Sequence, residues 1–566
     1  MPTLHWIGKE KVINHHQDVP FKTLEKQYTY SNGKETKDSL SENKIIHGDN
    51  LEALKSLLPE YEGKIKCIYI DPPYNTGNEG WVYNDNVNHP QIKKWLENTI
   101  RAKQNNTDAS VGIDDLTRHD KWLCMIYPRL KLLQKLLSED GVIFISIGDD
   151  EIASLKLVCD ELFGSGNKCG IVSRVMKSGG NKGNYFSPNI DYILVYAKNK
   201  INIEDFKADL DEKLIKKLYN QIETNGDRKG ENYRAFGLYQ SSLDSRPNQR
   251  YFIKCPDGAL VIPPGNTIPE KKEDASKVLP DKDDGCWRWS ADRYIKERIN
   301  GNIIFKKSKN AVLIDSNGEP AKWNIYTKIW LKEREAEGQT PTNLISEYEN
   351  RHSSKELTSI GINFDYSKPK DLIKYLIKVA IKDKNATILD SFAGSGTTAH
   401  SVLNLNKEDG GNRKFILIEM EDYANNITAE RVKRVIDGYG VSNKAVEGTG
   451  GDFSFYELGE PLFLNDNFLN EAIELSKIQE YVWYSETKAT FKPQKEPYLL
   501  GKQNSTTYYF FYEKDSITTL DESFLRRIKT KTQQYIIYAD NCLLNKGIMD
   551  RYNIVFKKIP RDITRF

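Results

Sequence analysis

Two textures of apolar and polar positions alternate along this chain. Short runs rich in β-branched and aromatic residues, Lys44–Ile46, Ile65–Ile70, Val142–Ile147, Tyr192–Tyr196, Thr387–Asp390 and Lys414–Glu419, read as buried strands bounded by turn residues. Between them stand stretches with apolar positions three or four apart, Leu51–Leu58, Trp122–Leu137, Pro369–Ile381 and Thr398–Leu405, which predict helices. Strand alternating with helix predicts an α/β fold with a doubly wound, mostly parallel sheet.

The texture changes between about 203 and 365. There the text breaks into short strands interrupted by Pro and Gly, such as Tyr251–Lys254 and Ala259–Gly265, with Trp287, Trp289, Trp323 and Trp330 set among basic residues. This predicts an inserted α+β domain. The expected organisation is an N-terminal arm (1–40), one half of an α/β domain (41–202), the insert (203–365), the other half (366–446) and, after the glycine-rich break Glu447–Gly451, a smaller C-terminal α/β domain (452–566). Strand-like runs Tyr508–Tyr512, Tyr535–Tyr538 and Ile554–Phe556 mark that last unit.

Composition narrows the class. At 566 residues, with 38% apolar and 29% charged positions, the chain has material for several globular domains at about 150 residues each. No apolar run approaches the roughly 20 residues of a membrane span, and the N-terminus lacks the order of a signal peptide, so a cytoplasmic protein is expected. Seven scattered cysteines suggest reduced thiols. Neither cysteine nor histidine spacing fits a metal site, so no metal is expected. The net charge of +2 decides nothing. Local basic stretches carry more: Arg174, Lys177, Lys182, Lys198 and Lys200 accompany a single acid, Asp191, and residues 521–566 hold ten Lys or Arg against five Asp or Glu.

The chemistry concentrates at two strand ends. Asp71-Pro72-Pro73-Tyr74 directly follows the strand Ile65–Ile70, and two prolines stop the ladder and stiffen the turn. Asp71 and Tyr74 are thereby presented at a strand's carboxyl end, where open α/β sheets keep their ligands. A carboxylate there, with the Pro72 carbonyl held by the fixed ring of Pro73, can accept both hydrogens of an exocyclic amine and return its lone pair to nitrogen. Tyr74 offers a stacking face for a base swung out of a duplex. A plain Pro-Pro turn is the competing reading.

The second strand end is Asp390-Ser391-Phe392-Ala393-Gly394-Ser395-Gly396-Thr397. Gly394 and Gly396 permit close backbone approach, and the following helix N-terminus favours an anionic carboxylate. Glu419 ends the next strand, where nucleotide folds place a ribose-binding acid. A Walker phosphate loop is excluded, since neither Gly-Lys-Ser nor Gly-Lys-Thr occurs.

At these residues the chain resembles the modification (Mod) subunits of type III restriction–modification systems, which are β-class DNA adenine-N6 methyltransferases. The likeness rests on Asp71 through Gly77, Asp390 through Thr398, the lead-in Lys368–Ile373, the turn His47-Gly48-Asp49-Asn50, the Gly141–Asp150 strand and the ending Phe556–Arg561. It implies a Rossmann-like methyltransferase fold using S-adenosylmethionine. Asp71, Pro72, Pro73 and Tyr74 would be catalytic. Asp390, Phe392, Ala393, Gly394, Ser395, Gly396 and Thr397 would bind the cofactor, Asp49 its adenine, Lys368 its carboxylate and Glu419 its ribose. The insert would recognise the target in double-stranded DNA, with a homodimer and a restriction (helicase–nuclease) subunit as partners. Lys177, Lys182, Trp287 and Arg288 are DNA-contact candidates, although tryptophans two apart are more often core. The same amine chemistry on RNA or a glutamine side chain is a rival, as is a non-catalytic specificity subunit. The order of the two motifs and the size of the insert favour DNA.

Overall fold

The computed structural model describes residues 3–76, 113–179, 185–442, 445–464 and 468–566, with the backbone alone over 113–117. They form two compact units, one of Met1–Asp205 with Thr342–Phe566, the other of Phe206–Pro341.

The first unit is built on an 11-stranded sheet. Its strands, numbered in chain order, are β1 (Lys22–Ser31), β2 (Lys34–Thr36), β3 (Lys44–His47), β4 (Ile65–Ile70), β5 (Leu137–Ile147), β6 (Lys168–Val175), β7 (Ile190–Ala197), β8 (Leu344–Ile345), β9 (Thr387–Asp390), β10 (Lys414–Glu419) and β11 (Asp452–Pro461). Across the sheet they lie in the order β8-β6-β7-β5-β4-β9-β10-β3-β11-β1-β2. From β5 to β11 every pairing is parallel, while β7 and β1 join the two flanks antiparallel. Strands covered on both faces must be apolar nearly throughout. Ile65, Cys67, Ile68 and Ile70 of β4, and Phe415 to Ile418 of β10, are accordingly buried.

The strand order creates the site. From β4 the chain crosses to β5 through the helix Ile113–Leu136, and from β9 it crosses to β10 through Thr397–Asp409. Those destinations flank the β4–β9 pair on opposite sides, so a crevice opens beyond the carboxyl ends of β4 and β9. Cys67 lies opposite Ile388 and Ile68 opposite Leu389, which brings the turns after Ile70 and Asp390 side by side.

Two expected boundaries shift. Residues 342–365 belong to the first unit: Leu344 and Ile345 pair with Ser173 and Arg174 of β6, and the second unit ends at Pro341. The stretch 452–461, read as the start of a C-terminal domain, is a strand of the main sheet between β3 and β1. Beyond it, Leu499–Gln503, Thr506–Phe510, Gln534–Ala539 and Ile554–Lys558 make a separate four-stranded sheet.

The second unit carries antiparallel sheets. Ile303–Lys307, Trp323–Trp330, Asn232–Gly237 and Gln221–Ile222 form one, and Ile253–Lys254, Leu260–Ile262 and Ile314–Asp315 another. Trp287, Trp289, Trp323, Tyr251 and Tyr294 fill its core. Among the described residues no helix is long and apolar enough to cross a membrane.

Candidate active site

A cavity of about 670 Å³ occupies the crevice. Asp71 to Tyr74 form part of its wall after β4, and Asp390 to Ser395 with Thr397 form the part after β9. Glu419, Lys368, Asn350, Met176 and Asp191 are among the other residues of its lining.

The Pro-Pro turn is held from behind. Trp122, fully buried on the helix Ile113–Leu136, donates its indole N–H to the Pro73 carbonyl at 2.7 Å. The Pro72 carbonyl is thus not needed for that contact, and Pro72 remains on the cavity wall. Tyr74 donates its hydroxyl to Asp191 Oδ2 at 3.1 Å, and its ring lies over Gly148, where a Cβ would stand 3.0 Å from it. Asp191 is gripped by Arg174, whose Nε and a terminal nitrogen donate to its two oxygens at 2.8 and 2.5 Å. The same guanidinium donates to the Tyr348 carbonyl and to Asn350 Oδ1. Next in the chain, Asn75 takes a left-handed φ of 62° and donates its amide to Glu151, a fit for one of the few residues that tolerate that region.

Asp71 faces Lys368. Nζ donates to Oδ1 at 2.7 Å and to Oδ2 at 2.6 Å, and it also sits 4.8 Å from the Tyr74 ring centroid. Lys368 is only 9% exposed, so this is an ion pair largely withdrawn from water.

Across the crevice, Asp390 organises the glycine turn. Its Oδ1 accepts from the Phe392 N–H at 3.0 Å and its Oδ2 from the Thr398 hydroxyl at 2.5 Å. Burial pushes its pKa up to about 7. Gly394 has φ 52° and donates its N–H to Glu419 Oε2 at 2.7 Å. The other Glu419 oxygen accepts from the N–H groups of Met420 and Glu421 at 3.0 and 3.1 Å. Burial raises Glu419 to about pKa 7 despite these donors. Gly396, φ 83°, caps the helix Thr397–Asp409, and a Cβ there would meet the Thr428 carbonyl at 3.0 Å, not the cavity.

Beneath the turn lies a polar cluster. Fully buried Arg431 donates to Ser395 Oγ at 2.7 Å, to Thr397 Oγ1 at 2.8 Å and to Glu356 at 3.2 Å. Ser367 Oγ meets Ser395 Oγ at 2.9 Å. His400 shares this cluster, fully buried, with Arg431 at 3.3 Å from its Nδ1. Burial, then the nearby Arg431, holds its pKa well below the usual imidazole range, as suits packing rather than proton transfer.

A family model described as DNA methylase matches residues 65–430, which spans both strand ends and the cavity between them. The chain belongs to that family. Among curated relatives, the chain is 34% identical to the type III restriction–modification enzyme EcoPI Mod subunit of Escherichia phage P1, over 75% of this chain and 64% of that protein. It is 33% identical to the StyLTI Mod subunit of Salmonella typhimurium strain LT2, over 75% of this chain and 62% of that one. The aligned part thus spans a little under two thirds of those relatives' length. PvuII DNA methyltransferase (cytosine-N4-specific), a solved structure, aligns over 69% of this chain and 87% of its own at 11% identity with a TM-score of 0.30, too weak a likeness to argue from.

The residues singled out in the sequence distribute unevenly. Asp71, Pro72, Pro73, Tyr74, Lys368, Asp390, Phe392, Ala393, Gly394, Ser395, Thr397 and Glu419 line one cavity. Gly396 shapes the turn from outside it. Asp49 is not on the wall: it caps the helix Asn50–Tyr61 through the N–H groups of Leu51 and Glu52, with Arg129 at 3.3 Å, and its neighbour Asn50 lines the cavity instead. Lys368 lies on Asp71, where the resemblance set it toward a cofactor carboxylate. Trp287 must be withdrawn as a DNA contact, because it is 0% exposed and donates its indole N–H to the Tyr251 carbonyl. Arg288 stays half-buried with its guanidinium 4.4 Å from the Phe236 ring. Lys177 is exposed, and Lys182 lies outside the described residues. Arg174 leaves the basic stretch altogether, since it is spent on Asp191. Sequence reasoning missed Trp122, Ser367 and Arg431. The only available signal was that of Asp191, the lone acid in a basic stretch.

Proposed function

We propose that this chain transfers a methyl group from S-adenosylmethionine to N6 of an adenine swung out of double-stranded DNA, as the modification subunit of a type III restriction–modification system. The observation that carries the reading is that Asp71 with Tyr74, and Gly394 with Glu419, face one cavity from adjacent parallel strands. One end can take a planar amine, the other a nucleoside.

The cavity suits the cofactor chemically. Glu419 offers a buried carboxylate to vicinal hydroxyls, Gly394 lets backbone approach, and the start of the helix Thr397–Asp409 favours a carboxylate. Ser391 Oγ, buried beside the cavity, has no hydrogen-bond partner among the described residues and is open to a ligand's polar atom. The bound cofactor supplies an electrophilic methyl group. Everything else falls to the chain. Asp71 accepts one amino hydrogen and the Pro72 carbonyl the other, which localises the lone pair on nitrogen and turns it toward the acceptor. Tyr74, braced by Asp191 and Gly148, supports the base from one face. Once nitrogen is alkylated its excess proton leaves by way of Asp71.

Specificity would come from the insert expected at 203–365, whose compact core is the second unit. The C-terminal unit would pair two copies or dock a restriction subunit, and the assembly would work in the cytoplasm. Long-read methylation mapping of DNA from cells expressing this chain alone tests the activity. Methyl marks confined to one adenine in one short sequence are expected. Unmarked DNA in cells that accumulate folded, cofactor-binding protein would overturn the reading.

A further inference from the structure

The hairpin of β6 and β7 rises from the cavity wall. Arg174 and Asp191 stand opposite each other in its register and form the ion pair that holds Tyr74. One step further out, Met176, itself on the cavity wall, donates its N–H to the Asn189 carbonyl at 2.9 Å and closes the base of the hairpin's loop. That loop carries Tyr185 and Phe186 at 94% and 104% exposure. Phenylalanine is among the residues most often fully buried, and two consecutive aromatic side chains so exposed have no packing role among the described residues. Exposed Lys177 lies on the same loop and can meet a phosphate.

We propose that Tyr185 and Phe186 are positioning residues that enter the DNA stack at the target and fill the space an extruded adenine leaves. The inference rests on the function proposed above and adds the step that makes its pocket reachable. Extruding a base breaks its pairing and its stacking on both neighbours. Apolar and aromatic wedges inserted at a base step replace part of that stacking, as minor-groove proteins do. An occupant with flat apolar faces and a charged edge suits two planar side chains beside a lysine. The ion pair ties the hairpin to Tyr74, so wedge and pocket move as one piece.

The test is single-turnover methyl transfer by the full chain carrying Tyr185→Ala with Phe186→Ala, on two duplexes bearing the mapped site. One is fully paired, and the other places an abasic position opposite the target adenine, which makes extrusion cheap. On the paired duplex the variant should lose about ten- to a hundredfold in rate, the size of one lost base–aromatic stacking contact. Most of that should return on the abasic duplex, and Phe186→Trp should retain the wild-type rate on both. Cofactor affinity by calorimetry and melting temperature should match wild type. Equal rates for variant and wild type on the paired duplex, or a loss of equal size on both duplexes, would overturn the inference. So would a loss accompanied by a change in solution mass, which would make the aromatics a contact between copies. A wild-type chain inactive on both duplexes would overturn the function itself.

Discussion

Lys368 and Asp71 close on each other across the crevice, with Nζ at 2.7 and 2.6 Å from the two carboxylate oxygens. Both oxygens that would accept a target amine are therefore already bonded to a cation. For Asp71 to work on an amine, one of those bonds must be shared or released.

Replacing Lys368 should then show which role dominates. Lys368→Met is expected to lower single-turnover methyl transfer by about ten- to a hundredfold, the span of one or two hydrogen bonds to a charged group. Lys368→Arg should recover part of it, because a guanidinium can still span both oxygens. A Met variant faster than wild type would mean that the pair is a brake.

Asp71→Ala should abolish methyl transfer while leaving cofactor affinity near wild type by calorimetry, since Asp71 acts on the amine. Asp71→Asn should keep a fraction of the activity, as an amide oxygen accepts one hydrogen. Turnover by the Ala variant within a few fold of wild type would remove Asp71 from the chemistry.

Gly396→Ala should destabilise the fold itself. At φ 83° an added Cβ is strained, and it would stand 3.0 Å from the Thr428 carbonyl. A cost on the order of 2 kcal/mol is expected in denaturant unfolding. A side chain added at Gly394 would instead take up ligand space, since a Cβ there faces Phe364, a residue of the cavity wall, at 3.4 Å.

Stability should depend on pH through Glu419. Burial raises its folded pKa from 4.5 to about 7, so the protein holds a proton there that the unfolded chain gives up earlier. The associated stability is fully present below pH 4.5 and is lost as pH rises through about 7, to the extent of about 3 kcal/mol. Glu419→Gln should flatten the melting-temperature curve across that window relative to wild type, with Asp390 leaving a residual slope of the same sign. Parallel curves for the two proteins would count against the assignment.

Exchanging the segment Phe206–Pro341 for that of a relative should change the methylated sequence and leave the chemistry intact, because base edges are read by side chains in a groove while the pocket needs only the extruded base. An active chimera that still marks the original site would place recognition in the first unit.

What was legible in the sequence follows its physics. β4, β9 and β10 are largely apolar runs, β4 stopped by Pro72 and Pro73 and β9 running into the glycine turn, and such runs announce buried parallel strands and the turns after them. Asp71, Gly394 and Glu419 were readable because each stands at one of those ends. Arg431 was not: it sits in a short helix of charged text, Glu430–Asp437, and only the fold shows it buried beneath the glycine turn. Trp122 likewise reads as one more apolar position until Pro73 supplies its partner. The stretch 342–365 is polar and punctuated throughout, so nothing local distinguished a strand added to the main sheet from the end of an insert. Trp287 could be read both ways, since an aromatic beside a basic residue looks the same whether it faces DNA or core, and the fold buries it, as tryptophans two apart more often are.

β4 and β9 are neighbours in the sheet although the whole second unit intervenes in the chain, and this has a consequence for how the molecule acquires its activity. The β4–β9 pairing closes a very long loop, a step whose entropic cost grows with the logarithm of loop length and which slows folding. Within the second unit, Ala208 and Gln339 exchange two backbone hydrogen bonds at 2.8 and 2.9 Å, pinching its entry and exit together. Once that unit has folded, the loop left to close is shorter by nearly its entire length. Folding of that unit first would spare part of the closure cost, a fraction of a kcal/mol, so mutations that loosen its neck should delay the appearance of activity during refolding more than they reduce the final yield.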